Sequence, residues 1–199
     1  FAGTLDTAPG FILHRDRSGG STVAMCWHSS LTNTSNMIAD QADAVNTSQA
    51  TYQNSTAPTT TQFSLGTLAE ANGDGLAFVC YAWANSGPYQ FGTYEGSAGT
   101  DGTFINIGGF ATVMVVKNVD SAASYQMVPR VLQDSNTGAN ASLQWDNTGV
   151  GGTAAFDVNA NGAKMRTANV NFNTAETFIY MAFGIRPLTD GGVNQVRAK

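Results

Sequence analysis

Carboxylates are the first place to look for chemistry in this chain, and they are few and scattered. Its three glutamates, Glu70, Glu95 and Glu176, stand far apart in the sequence. Glycoside hydrolysis on a β-sandwich needs two carboxyl groups ~5 to 9 Å apart across the scissile bond, usually supplied by acidic residues alternating along one strand face. No such alternation exists here. Asp40 and Asp43 come closest, and they lie in a polar stretch where a solvated surface is the plainer reading. Asp157, Asn159, Asn161 and Gly162 imitate the opening of a calcium loop, but the twelfth position, where a bidentate glutamate is required, is Ala168. That run reads as a turn between strands, as does Asn72-Gly73-Asp74-Gly75.

The nucleophiles and metal ligands are equally sparse. His14 and His28 are the only histidines, and neither has a cysteine or histidine at metal-ligand spacing. Ser29 follows His28, yet no G-x-S-x-G context surrounds it, so a polar cap at a strand end is expected. Cys26 and Cys80 each sit mid-strand among apolar residues. They are either a disulfide stapling neighbouring strands or, the preferred reading, two buried thiols acting as small hydrophobes. The chain is therefore expected to be non-enzymatic, with no catalytic, cofactor-binding or metal-binding residues.

Two further sets of residues could recognise a ligand or carry a modification. Tyr52, Tyr89, Tyr94, Tyr125 and Trp145 stand beside turns and could stack on pyranose faces; packing in the core or between subunits is the favoured alternative. Asn-x-Ser/Thr triplets at Asn33, Asn46, Asn54 and Asn140 arise by chance in so Asn- and Thr-rich a chain.

The elements that would position these residues follow from composition. A chain of 199 residues buries roughly 70% of its unfolded surface and can make a substantial core. Only 12% of residues are charged, while glycine and small polar residues are plentiful. That balance disfavours salt-bridged helices and favours short strands joined by turns, an all-β fold. The net charge is -5, and no basic cluster exceeds Arg15 and Arg17, which disfavours a nucleic-acid partner and an anionic membrane surface. No stretch approaches the ~20 apolar residues of a membrane helix, and no signal-peptide pattern opens the chain.

The strongest strand signal is residues 76–84, LAFVCYAWA, uncharged and opened by a turn tetrad. Its length and its aromatic and β-branched content predict a strand buried on both faces. Residues 11–15, FILHR, and 23–28, VAMCWH, predict a hairpin across a Gly-rich turn, and 89–94 and 103–107 predict further strands. The region 29–61 reads mostly as loop, with Met37-Ile38 a short strand.

The second half repeats this grammar. Residues 112–118, TVMVVKN, answer 10–16, GFILHRD; 162–167, GAKMRT, answer 62–67, QFSLGT; and 177–184, TFIYMAFG, answer the 76–84 strand. Three blocks in the same order, at offsets of 100 to 102, predict one domain over residues 1–199 with pseudo-repeats at about 8–94 and 110–190. Each half would supply strands to a two-sheet antiparallel sandwich, with Phe78, Val79, Tyr81 and Trp83 packing against Phe178, Ile179, Met181 and Phe183.

The motifs Ala8-Pro9-Gly10-Phe11-Ile12-Leu13, Trp27-His28-Ser29-Ser30-Leu31 and Phe63-Ser64-Leu65-Gly66-Thr67 continue into Phe91-Gly92-Thr93-Tyr94 and Gly109-Phe110. The chain closes on Lys164-Met165-Arg166-Thr167 and Phe178-Ile179-Tyr180-Met181-Ala182-Phe183. In this order they resemble the tandem-half domain of unknown function found in marine bacteriophage tail-fibre and virion-surface proteins. The resemblance implies a jelly-roll or concanavalin-like sandwich and a structural role on the exterior of a virion, as tail fibre or capsid decoration. It implies partners among copies of itself, with a trimer expected, and among other virion proteins. The alternative is a module that recognises host-surface glycans. Ala111-Thr112 stands where the family usually has a proline after Gly109-Phe110. Residues 186–199, without apolar periodicity, are expected to leave the sandwich and touch a neighbour.

Overall fold

The computed structural model describes residues 4–21, 23–129, 140–146, 153–154 and 156–187. They form an all-β fold of antiparallel sheets packed face to face. The first sheet holds β1 (Pro9–Asp16), β2 (Ala24–His28), β3 (Met37–Ile38) and β4 (Phe78–Ala84), in the order β3-β2-β1-β4. A single-turn helix, α1 (Ala50–Gln53), interrupts the polar region read as loop, and a second, α2 (Ala69–Asn72), lies between that region and β4. The chain then crosses to the second sheet as β5 (Tyr89–Glu95). That sheet adds β8 (Val113–Asn118), β9 (Gln126–Pro129), β11 (Leu143–Gln144) and β15 (Thr177–Phe183), in the order β11-β9-β8-β15-β5. A third sheet joins β6 (Phe104–Asn106), β13 (Phe156–Asn159) and β14 (Gly162–Met165). Two short ladders complete the set: β7 (Gly109–Phe110) with β16 (Arg186–Pro187), and β10 (Asn140–Ala141) with β12 (Thr153–Ala154).

The two halves pair their strands in one register. In the first sheet Asp16 faces Phe78, Arg15 faces Val79 and Phe11 faces Trp83. In the second Asn118 faces Phe178, Lys117 faces Ile179 and Val113 faces Phe183, the same pairs shifted by the offsets seen in the sequence. The hairpins agree as well: Phe11 opposite His28 and His14 opposite Met25 become Val113 opposite Pro129 and Val116 opposite Gln126. The third sequence block does not hold its form. Residues 162–165 are strand β14, whereas 62–67 are irregular. Both still cover the outer face of their own sheet, with Phe63 and Leu68 packed against Ile12, Met25, Trp27 and Tyr52, and Ala163 and Met165 against Met114, Val116 and Phe178.

Three cores result. The central one lies between the two large sheets and gathers Phe11, Cys26, Phe91, Val115, Tyr125, Ile179 and Met181. The outer two lie beneath the helical segment and beneath the third sheet, so the sandwich is covered on both of its outer faces rather than left as two bare layers. Period-2 alternation assigns each strand's residues to one core or the other. In β15, Ile179 and Met181 face the centre while Phe178, Tyr180 and Ala182 face the third sheet. Close approach sets Gly66: a Cβ there would lie 2.1 Å from the Thr51 carbonyl oxygen, so only glycine lets this loop pass against the backbone of α1.

The 76–84 strand departs from expectation. β4 is an edge strand, hydrogen-bonded to β1 on one side and to no other described strand, and only Ala84 is buried along it. Tyr81 is 53% exposed. Composition does not distinguish a strand with neighbours on both sides from one at a sheet edge. The expected packing of the two long strands also changes. Trp83 and Phe183 meet edge to face at 5.9 Å, but Phe78 and Phe178 point away from each other, toward His14 and toward Tyr94 respectively. Arg186 and Pro187, the start of the segment expected to leave the sandwich, pair with β7 of the same chain; residues 188–199 lie outside the described residues.

Candidate functional site

Four of the scattered acidic residues, Asp40, Asp101, Asp157 and Glu176, act as structural fasteners. Asp40 accepts a hydrogen bond from Arg15 Nη1 at 2.9 Å and from the Ala24 backbone N–H at 3.1 Å, tying the loop after β3 to the β1–β2 hairpin. Glu176 accepts bonds from the hydroxyls of Ser121 and Thr174 and from Asn118 Nδ2; the Ser121 hydroxyl leads in holding its carboxyl below the usual range. Asp157 sits in β13 and accepts Arg166 Nε at 2.6 Å, while Arg166 Nη1 and Lys164 Nζ reach Asp101 at 2.8 and 3.2 Å. The run that imitates a calcium loop is the β13–β14 hairpin, turning at Ala160 and Asn161. No group of three or more His, Cys, Asp or Glu side chains converges among the described residues.

His28 and Ser29 are neighbours in sequence, but the imidazole bonds elsewhere. Ser30 N–H donates to His28 Nδ1 at 3.1 Å, so Nε2 carries the proton and donates to the Tyr180 carbonyl at 3.1 Å, bridging the two large sheets. Both ring nitrogens are thereby occupied. Burial pulls the imidazole down to about 4, and that of His14 to about 4 as well. The cysteines are free and lie on β2 and β4, with β1 between them. Cys26 is buried, its Sγ 3.5 Å from the Tyr125 hydroxyl, and burial pushes its thiol up to about 12. Cys80 is exposed, against the expectation of a buried thiol, because β4 is an edge.

The five aromatic residues weighed as a sugar platform are taken up by packing, as the favoured reading had it. Tyr52, Tyr94 and Tyr125 are buried, and Tyr89 and Trp145 are half-buried beside the central core. Among the described residues the exposed rings are Phe104 on β6 and Tyr81, the latter stacked on Trp83 at 6.0 Å on the open edge. Sequence reasoning assigned Tyr81 and Trp83 to the core because it treated the run as doubly covered. The sequence held no signal for this, because the absence of a second partner strand is visible only in the topology.

Two concave surfaces flank the first sheet. One, of about 460 Å³, lies at the strand ends by Pro9, Trp27, Ser29, Leu31, Pro58 and Asn85. The Trp27 indole there is committed to the Thr32 carbonyl at 3.1 Å. The other, of about 380 Å³, lies on the outer face between β2, β3 and α2. Met25, Ile38 and Leu68 give it apolar walls, and Ser21, Asn36, Gln49 and Glu70 bring polar groups to it. Among the described residues no lysine or arginine lines it.

Residues 1–187 match a family model described as a domain of unknown function, DUF7483. No curated protein and no solved structure matches the chain.

Proposed function

We propose that this chain, which belongs to the DUF7483 family, is a non-enzymatic structural component of the exterior of a bacteriophage virion, working by assembly and display. The jelly-roll or concanavalin-like kinship and the phage setting rest on the motif resemblance. The observation that carries the assembly role is the β4 edge. Soluble proteins blunt exposed edge strands with lysine, proline, bulges or a covering loop. β4, FVCYAWA, has no charge and no proline, and it presents Tyr81 and Cys80 to solvent. Such an edge suits coverage by a neighbouring copy or another virion protein, and a three-fold arrangement is the first expectation.

Molar mass by light scattering at micromolar concentration tests this. The wild type should form an oligomer that Tyr81→Lys dissociates, with the folded signature unchanged. A wild-type monomer with a fully solvated β4 in the intact particle would overturn the reading.

A second reading, recognition of host-surface glycans, is favoured by the groove beside α2. Its apolar walls and convergent amide and hydroxyl groups match the amphipathic faces of a sugar.

A further inference from the structure

We infer that β4 pairs with β4 of a second copy, antiparallel across a two-fold axis between the two Cys80 residues; this rests on the assembly reading above and names its partner. The hydrogen-bond phase of the strand fixes which backbone groups are on offer. Just beyond the β1–β4 ladder, in the same register, Arg17 N–H donates to the Ala77 carbonyl at 2.6 Å. On the far side of β1, Ser29 N–H donates to the Gly10 carbonyl at 2.9 Å, which agrees with that phase. Bonded and non-bonded pairs alternate along an antiparallel ladder, so Val79, Tyr81 and Trp83 are the residues bonded to β1. The N–H and C=O groups of Phe78, Cys80 and Ala82 therefore point to the open edge.

Length and plugging select the partner edge. β4 has seven residues, whereas the outermost strands β3, β6, β11 and β13 have two to four. β5 also has seven, but the Asn85 amide plugs its open side. Asn85 Nδ2 donates to the Phe91 carbonyl at 3.1 Å, and its Oδ1 accepts the Phe91 N–H at 3.0 Å. The Thr103 hydroxyl donates to the Glu95 carbonyl farther along the same strand. Among the described residues, that leaves β4 itself as the open edge of matching length.

Charge and shape agree with self-pairing. Two copies of a chain with a net charge of -5 repel, and they approach most easily where the facing strips are neutral. β4 has no charged residue, so in this pairing neutral faces neutral along its whole length. With Cys80 opposite the partner's Cys80, Phe78 lies opposite the partner's Ala82 and Tyr81 opposite the partner's Val79. Each places an aromatic ring against a smaller side chain, and Tyr81, 53% exposed on the single chain, is covered. The two-fold axis closes the contact, so no open strand remains on that side for a further copy. A three-fold arrangement would have to use another face.

The test is residue-resolved amide hydrogen exchange on the full chain, wild type against Tyr81→Lys, with molar mass measured on the same samples. Wild type should have the mass of two copies, and its Phe78, Cys80 and Ala82 amides should exchange at least ~10-fold more slowly than in the variant. The Val79 and Trp83 amides, bonded to β1, should exchange alike in both and so report an intact strand. A short bis-maleimide should join wild-type copies through Cys80 and fail on Cys80→Ser, because the Cα atoms of a bonded pair stand ~5.5 Å apart and Cys26 is buried. An oligomer whose Phe78, Cys80 and Ala82 amides exchange as fast as in the variant would overturn the self-pairing and leave the assembly reading standing. A wild-type monomer would also overturn it and leave β4 to another virion protein, which the solvation of β4 in the particle decides.

Discussion

β4 and β15 are near-copies that meet opposite fates. Both are seven-residue aromatic strands, both lie antiparallel to the first strand of their half's hairpin, and both do so in the same register. Yet Met181 is fully buried while Tyr81, its counterpart, is 53% exposed. The difference lies in what flanks them. β15 has β8 on one side and β5 on the other, and the third sheet covers its outer face. β5 comes from the first half and crosses over, so the strand following β4 completes the other sheet and leaves β4 at the edge. A duplicated sequence thus gives one closed half and one open half, and the open half holds both the unpartnered edge and the groove.

The sharpest way to break this comparison is to truncate equivalent phenylalanines. Phe178, fully buried against Tyr94, should cost ~3 to 5 kcal/mol when changed to alanine. Phe78, half-buried at the edge, should cost only ~1 to 2 kcal/mol. Urea denaturation of the two variants checks the ranking, and equal losses would mean that β4 is covered in solution.

Acid should weaken the first half selectively. His14 and His28 both belong to the first sheet, and their register counterparts, Val116 and Pro129, do not titrate. Both imidazoles are held neutral by burial at about 4, below the ~6.5 of an unfolded histidine. Between those values the unfolded chain takes up protons that the folded chain refuses. The stability they contribute is therefore complete above about pH 6.5 and falls as the pH drops toward 4, by on the order of 3 kcal/mol each. His14→Val, which installs the counterpart's residue type, should halve the slope of the urea midpoint against pH. An unchanged slope would place the acid sensitivity in the carboxylates.

The smallest effect concerns Arg15 and Lys117, equivalent cations in unequal settings. Arg15 is exposed and pairs with Asp40 at 2.9 Å, a contact worth ~0 to 1 kcal/mol. Lys117 is fully buried, donates to the Ala123 carbonyl at 2.6 Å and lies 5.2 Å from the Tyr125 ring centroid. Burial pulls its ammonium down to about 8, against the attraction of Asp146 and Asp43. Below about pH 8 it is a charge in a core. Lys117→Met should therefore raise stability by ~1 kcal/mol at pH 7, and should remove the gain that wild type shows between about pH 8 and 10.5. A loss above ~2 kcal/mol would mean that the carbonyl bonds outweigh the desolvation.

Much of the strand grammar was readable in advance because it rests on local chemistry. Gly19-Gly20 between FILHR and VAMCWH made the first hairpin visible, and β8 and β15 could be located from their similarity to β1 and β4. The helices α1 and α2 were not visible. Single turns of Ala-Thr-Tyr-Gln and Ala-Glu-Ala-Asn have no apolar periodicity and exist because Tyr52 and Ala71 are buried against the sheet. The groove was equally hidden: Ser21, Asn36, Gln49 and Glu70 belong to four segments with no spacing that links them.

Local pattern was enough to read the chain as all-β and to align the strands of its second half with those of its first. Those are properties of neighbouring residues and of period-2 patterning, which a one-dimensional string contains. Folding in three dimensions set that β4 lies at an edge, that Lys117 is buried where Arg15 is not, and which segments meet around the groove beside α2. Each depends on which strand crosses to which sheet. Burial is set by what stands beside a residue in space, and the crossing of β5 changes that for both sheets without altering a residue in either strand.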